Sequence, residues 1–137
     1  MSPAALPPLH GIRVADFSRV IAGPLCAMTL ADLGADVVKI ENPDGGDDTR
    51  GYRPPEYKGL SPAFICYNRN KRSIALDLNT AEDLAKAKAL TERADLVIEN
   101  FRSGLMEKYG LGYGDLAPSN PRLVYLSVSA YGRTGPF

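Results

Sequence analysis

The chain has 137 residues, and its 16 Lys and Arg balance its 16 Asp and Glu to a formal net charge of zero. That balance argues against a broad phosphate-backbone binder, whose footprint is a basic excess. No apolar run approaches the roughly 20 residues that span a bilayer, and the start from Met1 to Pro8 has no basic and apolar regions of a secretory signal, so the expectation is a cytoplasmic protein with no nucleic-acid and no membrane partner.

Ile12 to Phe17 alternates apolar residues at period two and reads as a strand. After a short connection, Pro24 suits the first turn of a helix and Gly34 its stop. Between them Asp32 is the only charge, so this helix is expected to be mostly buried. Asp36 to Glu41 is a second strand, and strand–helix–strand implies parallel neighbours with a right-handed crossover.

Asn42 to Leu60 is a long polar stretch, of the kind that is functional or disordered in compact domains. Its run Gly45-Gly46-Asp47-Asp48-Thr49-Arg50-Gly51 reads either as a solvated turn or as a substrate-facing loop. Ser61 to Tyr67 fits a short helix or a buried strand equally. Asn68-Arg69-Asn70-Lys71-Arg72-Ser73 packs three cations before a strand at Ser73 to Leu78. These cations read as a solvated basic turn or as a clamp for an anion.

Thr80-Ala81-Glu82-Asp83 opens a helix that runs to Ala94 with capping-box spacing. Asp95 to Glu99 is a strand leading to Asn100-Phe101; helical turns follow at Gly104 to Lys108 and Gly114 to Ser119, and Leu123 to Ser129 is the last strand. Alternating strands and helices predict an α/β fold with a mostly parallel sheet. Ligands in such sheets bind beyond the carboxyl ends of the strands, which directs attention to Ser18 to Pro24, Asn42 onward, Asn100-Phe101 and Ala130 to Gly135.

Ordinary nucleotide signatures are missing there. The first strand is followed by Ser18-Arg19-Val20-Ile21-Ala22-Gly23-Pro24, with one glycine where a dinucleotide fingerprint needs three, and no P-loop sequence occurs. Cys26 and Cys66 lie apart in apolar surroundings and read as reduced core cysteines, with no metal-ligand spacing. His10, the only histidine, sits in the Pro-rich lead-in.

Taken in order, the segments Ser18 to Pro24, Ala31-Asp32-Leu33-Gly34-Ala35-Asp36-Val37-Val38-Lys39-Ile40-Glu41, Gly46 to Gly51, Asn68 to Ser73, Leu76-Asp77-Leu78, Glu99-Asn100-Phe101 and Tyr131-Gly132-Arg133-Thr134-Gly135-Pro136 resemble the amino-terminal part of a class III coenzyme A transferase, the formyl-CoA transferase and carnitine CoA-transferase family. The resemblance implies a Rossmann-like, mostly parallel sheet flanked by helices, incomplete relative to the family's interlocked-dimer fold. Residues 1–10 would be a flexible lead-in and 11–137 the amino-terminal portion of a CoA-binding large domain.

It also implies an acyl-CoA:carboxylate CoA-transferase that takes an acyl-CoA and a small carboxylic acid, works as a homodimer, and needs no metal and no tightly bound cofactor. An aspartate carboxylate is the nucleophile, and the family position for it falls after Phe137. The CoA contacts that carry over are the backbone positions Val20 and Ala22, the apolar Leu76, Asn100 and Phe101 near the adenosine diphosphate end, and Tyr131 near the pantetheine path. Lys108 stands where relatives often have a phosphate-binding Arg, Asn42 where formyl-CoA transferase has one, and Ile21 where it has a Gln, which argues against formate and oxalate as substrates. Two other readings remain: an α-methylacyl-CoA racemase of the same fold, which would need a histidine and aspartate pair, and a short non-catalytic CoA-binding or remnant protein.

Overall fold

A computed structural model describes residues 5–135. Five strands, β1 (Arg13–Asp16), β2 (Asp36–Glu41), β3 (Arg72–Ala75), β4 (Leu96–Glu99) and β5 (Val124–Ser127), form one sheet in the order β3-β2-β1-β4-β5. Every pair is parallel, as the strand–helix alternation predicts. The chain steps from β1 outward through β2 to β3, then crosses back to lay β4 on the other side of β1. The reversal puts a topological switch beside β1, where parallel sheets open a crevice at their carboxyl ends.

Helix α1 (Ala22–Asp32) packs on one face of the sheet, with Ala27, Ala31, Val14, Val37 and Ile98 in a buried cluster. Its stop is the one Gly34 foretells. The Gly34 N–H donates to Ala31 O and the Ala35 N–H to Leu30 O, a Schellman closure, with Gly34 at φ +98°. A Cβ on Gly34 would also lie 2.3 Å from Pro7 Cβ. The lead-in, expected as flexible, is tied down at its end: the Leu9 N–H donates to Leu33 O and its side chain packs on the α1 cluster. Residues 1–4 lie outside the described residues.

Helix α2 (Pro62–Asn68) resolves the ambiguous segment as a helix. Ser61 is its N-cap, accepting from the Phe64 N–H at 3.4 Å, and Pro62 occupies the first turn. Start signals outweigh the missing periodicity. Because this segment is a short surface helix rather than a buried strand, Cys66 is exposed; Cys26 is partly buried, and both are free thiols. That corrects the expectation of two core cysteines.

The opposite face of the sheet is covered by α3 (Ala81–Glu92), α4 (Leu105–Lys108) and α5 (Tyr113–Leu116), which bury Ala87, Met106, Leu111 and Leu116 against Ala15, Ile40 and Val97. Thr80 caps α3, but the capping box closes differently from the expected one. Asp83 accepts from the Asp77 N–H at 3.0 Å, tying the helix start to the segment that leaves β3. Strand β3 ends at Ala75, three residues short of the sequence expectation: the Leu76 N–H still donates to Glu41 O, but residues 77–79 turn, with Asp77 accepting from the Asn79 N–H. Among the described residues, no helix is long and apolar enough to cross a membrane.

Candidate functional site

A cleft opens at the carboxyl ends of β1 to β4. It is lined by Phe17 and Arg19 after β1, Ile40 to Asn42 at the end of β2, Leu76 to Asn79 after β3, and Phe101, Leu105 and Tyr109 after β4. Its volume is about 70 Å³. Small-molecule sites usually enclose about 300–1,000 Å³, so this cleft holds only one end of a ligand of any size. Of the expected contacts, Asn42, Leu76 and Phe101 meet in it.

The others are placed around or away from it. Val20 lies in the turn after β1; Ala22 opens α1 and is exposed. Asn100 spends its side chain on the same turn, accepting from the Arg19 N–H at 2.8 Å and donating to Arg19 O at 2.9 Å. Lys108 is exposed at the end of α4 and does not line the cleft. Tyr131 is 79% exposed in the last described loop. That loop is anchored by Arg133, which pairs with buried Glu99 at 2.8 Å and with Glu107. Pro136 and Phe137, the end of the Gly-x-Thr-Gly-Pro segment, lie outside the described residues.

The turn after β1 is held at each peptide by a side chain from elsewhere. Lys39 Nζ donates to Ser18 O at 2.8 Å, Asn100 bonds Arg19 on both sides, and the Val20 N–H donates to the Asp47 carboxylate at 3.3 Å. Val20 sits at φ +69°, the left-handed region that a β-branched residue avoids. Such a residue costs roughly 1–2 kcal/mol, so the surrounding bonds must over-determine it. Gly23 completes the turn, since a Cβ there would lie 2.2 Å from Ser18 Cβ.

Beneath the turn lies a layer of buried charge. Lys39 pairs with Asp47 at 2.8 Å and Lys71 with Asp16 at 2.9 Å, all four side chains at most 1% exposed. Strand register explains the layer: Asp16 lies beside Lys39 on adjacent strands, both on the α1 face. The basic run before β3 is therefore split: Arg69 and Arg72 stay more than half exposed, as a solvated turn requires, while Lys71 is buried, and all three cations are paired with carboxylates of this chain. Lys71 is buried under α1, bonding Pro24 O and Asn68 Oδ1, while Arg69 pairs with Asp32 and Arg72 with Asp36. The Gly-Gly-Asp-Asp-Thr-Arg-Gly run is solvated only in part: Gly45, Asp48 and Gly51 are exposed, while Asp47 and Thr49 are buried within it. Asp16, sequestered by Lys71 and Ser18, is not available as a nucleophile.

With this geometry the relatives can be compared. Residues 9–137 match the sequence profile of CoA-transferase family III. The chain belongs to CoA-transferase family III. It is 49% identical to the succinate–glutarate CoA-transferase of Agrobacterium fabrum over 98% of this chain and 35% of that protein. It is 42% identical to the succinyl-CoA:glutarate CoA-transferase of Mus musculus over 96% and 30%. It is also 49% identical to the succinyl-CoA:mesaconate CoA-transferase of Haloarcula hispanica over 93% and 33%. The crystal structure of a CaiB/BaiF family protein from Brucella suis superposes with a TM-score of 0.91 at 45% identity, covering 96% of this chain and 36% of that one. The chain spans about a third of the length of these relatives.

Within this family III chain, the sequence reading missed Arg19 as a lining residue and missed Lys39, Asp47 and Lys71 as buried groups. One signal was available. Lys39 shares its strand face with apolar Val37, and a cation on an inward face needs a buried counter-charge nearby. Among the described residues, no three His, Cys, Asp or Glu side chains gather to hold a metal.

Glu41, on the cleft wall, gives the layer a pH signature. Burial works against its ionisation, but Arg50 at 2.7 Å, the Ser73 hydroxyl and the Asp47 N–H outweigh it and hold the carboxyl down at about 2 from 4.5. A depressed carboxylate stabilises the fold fully above its unfolded pKa and loses that contribution as pH falls through the folded one. We expect about 3 kcal/mol of stability to disappear between about pH 4.5 and pH 2. Arg50→Met should flatten that segment of the stability–pH curve, measured by urea unfolding at successive pH values. An unchanged slope in the variant would show that Arg50 does not set the acid limb.

Proposed function

We propose that this chain forms the CoA-binding portion of an acyl-CoA:carboxylate CoA-transferase whose acids are short dicarboxylates. The observation that carries the reading is its identity of 42–49%, over 93–98% of its length, to transferases named for succinate, glutarate and mesaconate. In this reading a nucleophilic aspartate from sequence following Phe137 attacks the donor thioester carbonyl. The acyl–sulfur bond breaks, leaving a mixed anhydride and CoA thiolate. The thiolate then attacks the aspartyl carbonyl, expelling the donor acid and leaving an aspartyl thioester. The acceptor carboxylate reverses both steps and leaves with CoA.

The part of this chain is to seat CoA against the turn after β1 and the cleft, with Val20, Ala22, Asn42, Leu76, Asn100, Phe101, Lys108 and Tyr131 as its contacts. Apolar Leu76 and Phe101 suit the adenine end, and the pinned peptides of residues 18–20 fix the path beside them. The reading carries with it a cytoplasmic homodimer without a tightly bound cofactor. His10 is exposed and precedes β1, at the amino end of the sheet and away from the cleft, so it is not placed to act as an acid or base there.

The test uses the protein as its host makes it, incubated with succinyl-CoA and glutarate, mesaconate or malate, with products followed by mass spectrometry. Formation of a new dicarboxylyl-CoA with release of succinate is expected. Deuterium uptake beside the thioester of a 2-methylacyl-CoA, without exchange of acids, would replace the reading with racemase chemistry. CoA binding with neither reaction would leave a non-catalytic binder.

A further inference from the structure

We infer that Arg19 is a phosphate-binding residue for the nucleotide end of CoA, held ready by Asn100 and Phe101. The inference rests on the CoA reading above and assigns a charge to it that none of the expected contacts supplies within the cleft.

Among the described residues, Arg19 is the only cation lining the cleft. Among the described residues it makes no ion pair. Its guanidinium carbon instead lies 5.2 Å from the centroid of the Phe101 ring, a face-on position that leaves its N–H groups to an incoming acceptor. Most other arginines near the sheet are committed: Arg50 to Glu41, Arg69 to Asp32, Arg72 to Asp36 and Arg133 to Glu99 and Glu107. The backbone of Arg19 is fixed on both sides by the Asn100 amide, and its neighbour Val20 is fixed by Asp47. The side chain therefore starts from a rigid root, which reduces the ordering cost of binding.

The two acids in the cleft divide the ligand's path. Glu41 is neutralised by Arg50, which donates to both its oxygens, and Ser73 donates to Oε1 as well. Asp77 has no ion pair among the described residues; its Oδ1 accepts from the Asn79 N–H and side-chain amide. An uncompensated carboxylate repels phosphate from the Asn79 end. The phosphate is then left to the Arg19–Phe101 rim, where a planar fork can take two of its oxygens.

The test is a calorimetric titration of the protein as its host makes it, in wild-type, Arg19→Ala and Arg19→Lys forms. CoA is the ligand, acetyl-pantetheine is the phosphate-free control, and two salt concentrations are used. Arg19→Ala should weaken CoA by about ten- to a hundredfold and flatten the salt dependence. It should leave acetyl-pantetheine binding and the thermal midpoint unchanged, and Arg19→Lys should recover part of the CoA affinity. A CoA affinity in Arg19→Ala equal to wild type would overturn this role while leaving the transferase reading intact. Equal losses for CoA and acetyl-pantetheine would overturn it as well, since they would mark Arg19 as a support of the turn. A wild-type protein that binds no CoA would overturn both the role and the reading beneath it.

Discussion

Lys71→Ala should be among the most destabilising single changes in the chain. The Lys71 ammonium lies 2.9 Å from each of the Asp16 carboxylate, Asn68 Oδ1 and Pro24 O, with its side chain 1% exposed. Burial pushes its pKa down, and the charge and hydrogen bond of Asp16 offset that only in part. Removing the cation leaves Asp16, itself 0% exposed, as a buried carboxylate with only Ser18 to satisfy it. Breaking such a pair from one side costs about 3–5 kcal/mol, whereas replacing both partners with apolar groups is often neutral or stabilising. Urea unfolding should therefore show a large drop for Lys71→Ala and a substantial recovery in the double variant Asp16→Ala with Lys71→Met. A single variant within about 1 kcal/mol of wild type would mean that water reaches Asp16 and the layer is not dry.

This pair also marks where reading the sequence succeeds and where it does not. The strand expected at Asp36 to Glu41 is β2 residue for residue, and Thr80 and Gly34 act as the local rules for caps and stops say they should. Those signals are carried by neighbours in sequence. The charge layer is carried by partners far apart in it. Asp16 and Lys71 are 55 residues apart, and Asn100 holds Arg19 across 81. Composition around Lys71 shows three cations in five residues, which looks solvated; only the parallel register of β1, β2 and β3 brings Asp16 under the end of α2. The cleft was legible as a location, because parallel sheets open at their carboxyl ends. Which side chains fill it was less so, because a contact such as Asn100 can serve the protein's own turn before it serves a ligand.

Asp47→Ala should combine a stability loss with a loss of ligand binding. The Asp47 carboxylate neutralises Lys39, accepts from the Thr49 N–H and hydroxyl, and accepts the Val20 N–H. Truncation takes from the buried Lys39 ammonium the carboxylate it pairs with at 2.8 Å, again about 3–5 kcal/mol. It also releases the one bond from outside the turn that holds Val20 at φ +69°. A β-branched residue so released relaxes toward the ordinary region, and the path beside Arg19 changes with it. Val20→Gly in the same background isolates that second effect, because glycine adopts the left-handed turn without strain. The expected pattern is a large fall in the unfolding midpoint for Asp47→Ala and a fall in CoA affinity that persists at temperatures where the variant is still folded. In the double variant, Val20→Gly should restore part of the affinity and little of the stability. If affinity instead follows the folded fraction alone, Asp47 supports the fold and does not shape the turn.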